Sequence, residues 1–322
     1  MKFTENAINV MAARTFKGIG RAWIVKNLST PKSEADIVES INKSLEKRNE
    51  QITTDQFNKQ KSRLKEILAD AKGLCDGVVA LGDKDFPLHR GDVKDSEKPI
   101  FIFYCGDLSL LAAESKNISV IGLLNPDQEI ADVEKLLVAR LVEQGAVIVS
   151  GLASGCDTIA HRQALDSKGR TVAILPGPLD QVLPAKNRGL AEEIVKKNGL
   201  LISEYLTGAR SKRELISRYD ERDRLQALFS NTILLSASYA KNDSGNDSGS
   251  RLAMEYAKNY SIPRVVIYDE GADANNPKFD LNRQIIKEDS ETLVANRHNS
   301  SVILREIMLL KPKGQLVQQS MI

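Results

Sequence analysis

Gly145-Ala146-Val147-Ile148-Val149-Ser150-Gly151-Leu152-Ala153-Ser154-Gly155-Cys156-Asp157-Thr158-Ile159-Ala160-His161 joins an apolar strand to a helix through a turn that carries two glycines. The run 145–149 reads as a buried strand, and 158–167 places apolar residues at helical spacing. Gly151 and Gly155 let the backbone turn sharply and come close to a ligand, while the first amides of the helix lack intrahelical partners. A helix start of this kind suits an anion, which makes Ser150, Gly151 and Gly155 candidate phosphate-binding residues. Many α/β proteins also use such a turn simply to reverse the chain.

Outward from this turn, short apolar runs alternate with helical patterns. The runs are 77–80, 100–104, 118–121, 146–149, 171–175, 199–203, 232–236 and 264–267, and helices are expected at 128–144, 158–167, 187–197, 216–229 and 249–259. That alternation predicts an α/β fold with a mostly parallel sheet and helices on both faces. Ligands on such sheets gather at the carboxyl ends of the strands. Residues 1–72 read as a small helical domain, 73–300 as the α/β domain and 301–322 as a tail, with no internal repeat. Within the first, Phe16-Lys17-Gly18-Ile19-Gly20-Arg21-Ala22 has the Gly-hydrophobic-Gly pattern of a helix-hairpin-helix turn, a pattern that an ordinary tight helical turn also produces.

Composition narrows the class. Lysine and arginine number 45 against 43 acidic residues, so any basic surface must come from local clustering. Cys75, Cys105 and Cys156 are far apart and lack CxxC spacing, which argues against a zinc site or a disulfide framework and fits a cytoplasmic setting. No segment approaches the roughly 20 apolar residues of a membrane span, and no signal-peptide core is visible.

Three further segments bear on the site. Pro176-Gly177-Pro178-Leu179-Asp180-Gln181-Val182-Leu183-Pro184-Ala185-Lys186-Asn187-Arg188-Gly189-Leu190 again lies between a strand and a helix. There Lys186, Asn187 and Arg188 are candidate phosphate-binding residues, Asn187 being equally a candidate helix cap. The segment 210–230 holds Arg218, Arg222 and Arg224, whose planar forks can grip phosphate oxygens in pairs. Residues four apart share a helix face, so Arg218 and Arg222 form one set and Arg224 another. The alternative is a solvated helix in which these arginines pair with Asp220, Glu221 and Asp223. Finally, Ser248-Gly249-Ser250 follows a polar loop and offers hydroxyls and helix-start amides to the same ligand.

The wording Ser-Gly-Leu-Ala-x-Gly-x-Asp-x-x-Ala-His at 150–161 resembles the DNA-processing protein A (DprA, also called Smf) family. Pro-x-x-Asn-x-x-Leu at 184–190, Ser203-Glu204, Arg222-Asp223-Arg224 and Ser248-Gly249-Ser250 follow in the family's order, over roughly 80–300. The resemblance implies a Rossmann-like domain that cradles single-stranded DNA phosphates at its strand ends without cofactor, metal or catalytic residue. It also implies a homodimer and a RecA-type recombinase as partner. Under it, Glu204 reads as a positioning residue rather than a contact.

Three departures stand out. After Gly122 the family has Ser-Arg, whose arginine helps to line the pocket, where this chain has Leu123-Leu124. The asparagine of Arg-Asn-Arg is Asp223, and too few residues follow Glu291 to build the family's carboxyl-terminal winged helix. These departures favour, as an alternative, a regulatory binding protein such as an antitoxin or phage-defence component that senses DNA or a nucleotide. A third reading is a nucleotide N-glycoside hydrolase with Glu255 as acid, which the absence of Pro-Gly-Gly-x-Gly-Thr disfavours. His161 reads as a structural, hydrogen-bonded residue, because no nucleophile spacing accompanies it.

Overall fold

The computed structural model describes residues 1–46, 49–71, 73–241 and 249–313. Among them nine strands form one sheet in the order β1-β2-β6-β5-β4-β3-β7-β8-β9. The strands are β1 (Gly77–Ala80), β2 (Phe101–Gly106), β3 (Asn117–Ile121), β4 (Val147–Ser150), β5 (Thr171–Ile174), β6 (Leu200–Ser203), β7 (Thr232–Leu235), β8 (Arg264–Ile267) and β9 (Leu293–Ala295). From β6 to β9 every pairing is parallel, and only β2 runs against its neighbours β1 and β6. The expected α/β architecture with a mostly parallel sheet is the one observed.

Four helices precede the sheet: α1 (Glu5–Arg14), α2 (Arg21–Asn27), α3 (Glu34–Leu45) and α4 (Thr54–Asp70). The Gly18–Gly20 segment is the bend between α1 and α2, with Ile19 buried in the core. The others are α5 (Gln128–Glu143), α6 (Cys156–Asp166), α7 (Arg188–Lys196), α8 (Lys212–Leu228), α9 (Ser250–Asn259), the single turn α10 (Glu270–Asp273), α11 (Asp280–Glu288) and α12 (Ser300–Leu309). The central strands are apolar on both faces, as a sheet covered by helices on each side requires. Val172, Ile174 and Leu235 pack with Leu228 of α8, Met254 of α9 and Ile285 of α11. The alternate residues point the other way: Ala173 and Leu201 meet α1 and α7, and Leu234 and Val265 meet α5 and α12.

Four of these elements, α10, α11, β9 and α12, escape the sequence reading. β9 is only three residues long, too short for a periodic signal. Residues 301–309, read as part of a tail, belong to α12, which buries Ile303, Leu304 and Ile307 in the same apolar cluster as Leu234 and Val265. Sheet topology then fixes where a ligand can go. From β3 the chain steps to β4 on one side, while β7 pairs with β3 on the other. The turns after β3, β4 and β7 diverge there and leave a crevice at the strand ends.

Candidate functional site

Gly151 lies at the carboxyl end of β4, and a methyl group on it would fall 1.1 Å from a guanidinium nitrogen of Arg222. Only glycine lets that arginine lie flat across the turn. Gly155 has φ +74, and a Cβ there would collide with the Leu123 carbonyl oxygen at 2.2 Å, so the β4 turn and the β3 turn touch at this residue.

The anion position of the turn is already filled from within. Asp157, in the first turn of α6, accepts the Gly151 and Ala153 amides, both at 3.2 Å, and pairs with Arg222 at 3.4 Å. It is 6% exposed, so a buried carboxylate satisfies the amides that the sequence offers to a phosphate. Nothing in the sequence marks Asp157 for this task beyond its place two residues after Gly155. Ser150 is likewise engaged, donating to the Val120 carbonyl at 2.7 Å.

Asn187 is not the side-chain cap of α7. Its amide donates to the carbonyls of Leu152 and Ala153 at 2.8 and 3.1 Å and to the Thr158 hydroxyl at 2.8 Å. It therefore fastens the β5–α7 turn to the β4–α6 turn. Leu152 holds φ +58, a conformation that side-chain-bearing residues rarely adopt, and this fastening helps to hold it.

The three arginines are placed differently from the open forks expected. Arg218 donates to the Thr207 carbonyl, pairs with Glu214 at 2.6 Å and stacks over the Tyr205 ring. Arg222 is held between Asp157, Asp223 and Gln226. Arg224 is 2% exposed and pairs with Glu204 at 2.5 Å and Glu221 at 3.1 Å. Arg21 of α2 joins the same two acids at 3.1 and 2.9 Å, which gives Glu204 its positioning role. The alternative pairing of arginines with Glu221 and Asp223 is thus present, buried rather than solvated. The reason is local: the helix brings its own acids, and Glu204 and Asp157 supply the rest.

Ser248 lies outside the described residues. Ser250 donates to the Gly122 carbonyl at 3.0 Å and ties the start of α9 to the β3 turn. A Cβ on Gly249 would stand 2.9 Å from the Asp223 carboxylate. Burial pushes the Asp223 carboxyl up to about 7 against the pull of Arg222, with Asp157 and Asp220 adding to the rise. His161 is fully buried, its Nδ1 2.7 Å from the Thr171 hydroxyl, and burial beside Arg222 lowers it to about 3. Glu255 is exposed on α9 and paired with Arg251, apart from the residues that line the crevice.

What the crevice offers a ligand is an apolar cleft of about 670 Å³ that opens onto a smaller recess beside Gly122 and Ser250. Leu124, Leu183, Ile216, Tyr219 and Leu252 line the cleft, while Arg222, Asp223 and Gly249 are shared with the recess. Leu124, where the resemblance predicted an arginine, is 54% exposed at its mouth. Lys186 and Arg188 follow Leu183 and Pro184 of the lining, and Lys212 and Arg213 precede Leu215 and Ile216. All four are exposed, and none forms an ion pair among the described residues. Lys212 and Arg213 were not singled out from sequence, although they lie in the basic segment.

Fold and site define an α/β protein with a doubly wound sheet and a ligand cleft at its strand ends. The chain belongs to the DNA recombination-mediator protein A family, whose family model matches residues 77–298. It is 28% identical over 237 residues to protein Smf of Synechocystis, covering 73% of this chain and 53% of that one. To DNA processing protein DprA of Bacillus subtilis it is 30% identical over 143 residues, covering 44% and 47%. The chain thus spans about half the length of these curated relatives. The X-ray structure of DNA processing protein A from Streptococcus pneumoniae superposes with a TM-score of 0.67 at 21% identity, over 94% of this chain and 98% of that one. The Helicobacter pylori DNA processing protein A structure, which concerns that protein's single-stranded DNA binding mode, gives a TM-score of 0.55 at 25% identity, over 72% and 95%.

Proposed function

We propose that this chain binds single-stranded DNA in the strand-end cleft and acts in DNA processing. The observation that carries this reading is an apolar cleft whose lining residues are flanked in sequence by exposed lysines and arginines that form no ion pair among the described residues. Bases lie against Leu124, Leu183 and Leu252, and phosphates against Lys186, Arg188, Lys212 and Arg213. Family membership and the single-stranded DNA binding mode of the Helicobacter pylori relative support the choice of ligand. Arg218, Arg222 and Arg224 act in this reading by shaping the cleft, and the turns at Ser150–Gly155 and Gly249–Ser250 form its floor.

The same proposal includes homodimer formation, delivery of the strand to a RecA-type recombinase and a cytoplasmic location. It also keeps a boundary near residue 72 between the helical part and the sheet. No described helix is long and apolar enough to cross a membrane. Fluorescence anisotropy with a labelled oligonucleotide and its duplex tests the proposal: the single strand should bind more tightly, and equal or absent binding at low salt refutes it.

A further inference from the structure

We propose that Asp223 selects the base that enters the cleft, its carboxylate accepting the paired N1–H and N2–H donors of guanine. The inference rests on reading the cleft as a single-stranded DNA site. Asp223 is 3% exposed and lines both the cleft and the recess beneath it. One carboxylate oxygen stands 3.2 Å from Arg222 Nε, and the other faces the start of α9 at Gly249. No hydrogen bond is donated to the Asp223 carboxylate among the described residues, whereas the Asp157 carboxylate beside it accepts two amides.

An ionised carboxylate accepts on both oxygens and donates nothing, so a buried one with a single ion-pair partner has acceptor capacity to spare. Phosphate is the wrong guest, because Asp157 and Asp223 place two carboxylates at this spot and Arg222 is committed to both. The guest must bring N–H donors and no negative charge. Guanine presents two adjacent donors on its Watson–Crick edge. Thymine presents one between two carbonyl oxygens, and adenine and cytosine set one amino group beside a ring-nitrogen acceptor. Only guanine meets both carboxylate oxygens without lone-pair repulsion. Leu124, Tyr219 and Leu252 supply faces against which a ring can lie.

The test compares oligothymidylate with the same strand carrying one central guanine, adenine or cytosine, measured by anisotropy above neutral pH with wild type and Asp223→Asn. The guanine strand should bind wild type about tenfold more tightly than oligothymidylate, a usual margin for one paired base contact. Adenine and cytosine should give no gain. In Asp223→Asn the guanine advantage over oligothymidylate should fall below about twofold, whatever the absolute affinity of the variant. If wild type binds oligothymidylate but does not favour guanine, the selection by Asp223 is wrong and the cleft remains a DNA site. If no strand binds, both fall together. The base comparison on wild type decides the matter even if the variant folds poorly.

Discussion

Asn187 and Leu152 meet across the two strand-end turns, with the asparagine amide donating to the leucine carbonyl at 2.8 Å. Two turns distant in sequence are thereby held as one unit, and the cleft inherits its shape from that unit. Asn187→Ala leaves the Leu152 and Ala153 carbonyls without this donor in a buried place. It should cost about 2 kcal/mol, seen as a lower urea midpoint with an unchanged slope. Asn187→Asp should be worse, because an oxygen would then face both carbonyls.

Glu204 holds two arginines of unequal exposure, Arg224 at 2% and Arg21 at 23%. Removing the acid takes from the buried Arg224 one of its two carboxylate partners, leaving Glu221, so Glu204→Ala should cost about 3 kcal/mol. Arg21→Ala removes a partly solvated partner and should cost less than about 1 kcal/mol. Equal costs by denaturant unfolding would show that the network does not centre on Glu204.

Burial raises the Glu134 carboxyl from 4.5 to about 8, and the side chain is fully enclosed near Cys156 and Ser236. Folding therefore takes up a proton between those values, and the stability from the neutral acid fades as pH rises toward 8. His161, lowered from 6.5 to about 3, acts oppositely, its contribution fading only as pH falls below 6.5. Asp223 adds to the Glu134 trend up to about pH 7. Thermal midpoints should then fall between pH 6.5 and 8, and Glu134→Gln should flatten that fall. A midpoint of the Gln variant that drops as steeply as wild type would assign the fall to another group.

The same chemistry reaches binding. Arg222, Asp157 and Asp220 are the charged groups around Asp223, and ionisation of Asp223 near pH 7 adds a negative charge to the cleft. For oligothymidylate, which offers no paired donors, affinity should fall as pH rises through 7. Asp223→Asn should make the profile flat over that range, and an unchanged profile would place the titrating group elsewhere.

Much of the fold was legible because its signals are local. Each central strand is a short apolar run, and the Gly151 and Gly155 turn announces a strand end followed by a helix. The direction of the arginines was not legible. Helical spacing separates Arg222 from Arg224, but which acids fold onto them depends on Asp157 and Glu204, residues 65 and 20 positions away. Asn187 illustrates the same limit: its position suits a helix cap, and the partners that claimed it lie in another turn.

The most direct measurement is the salt dependence of oligothymidylate binding for wild type and for a Lys186→Ala, Arg188→Ala double variant. If these side chains meet phosphates, wild type binds more tightly at low salt, and the variant's log–log slope is smaller by about 1.4, the loss of two contacts on a single strand. Identical slopes would place the strand elsewhere on the protein, and absence of binding at low salt would contradict the DNA-binding account altogether.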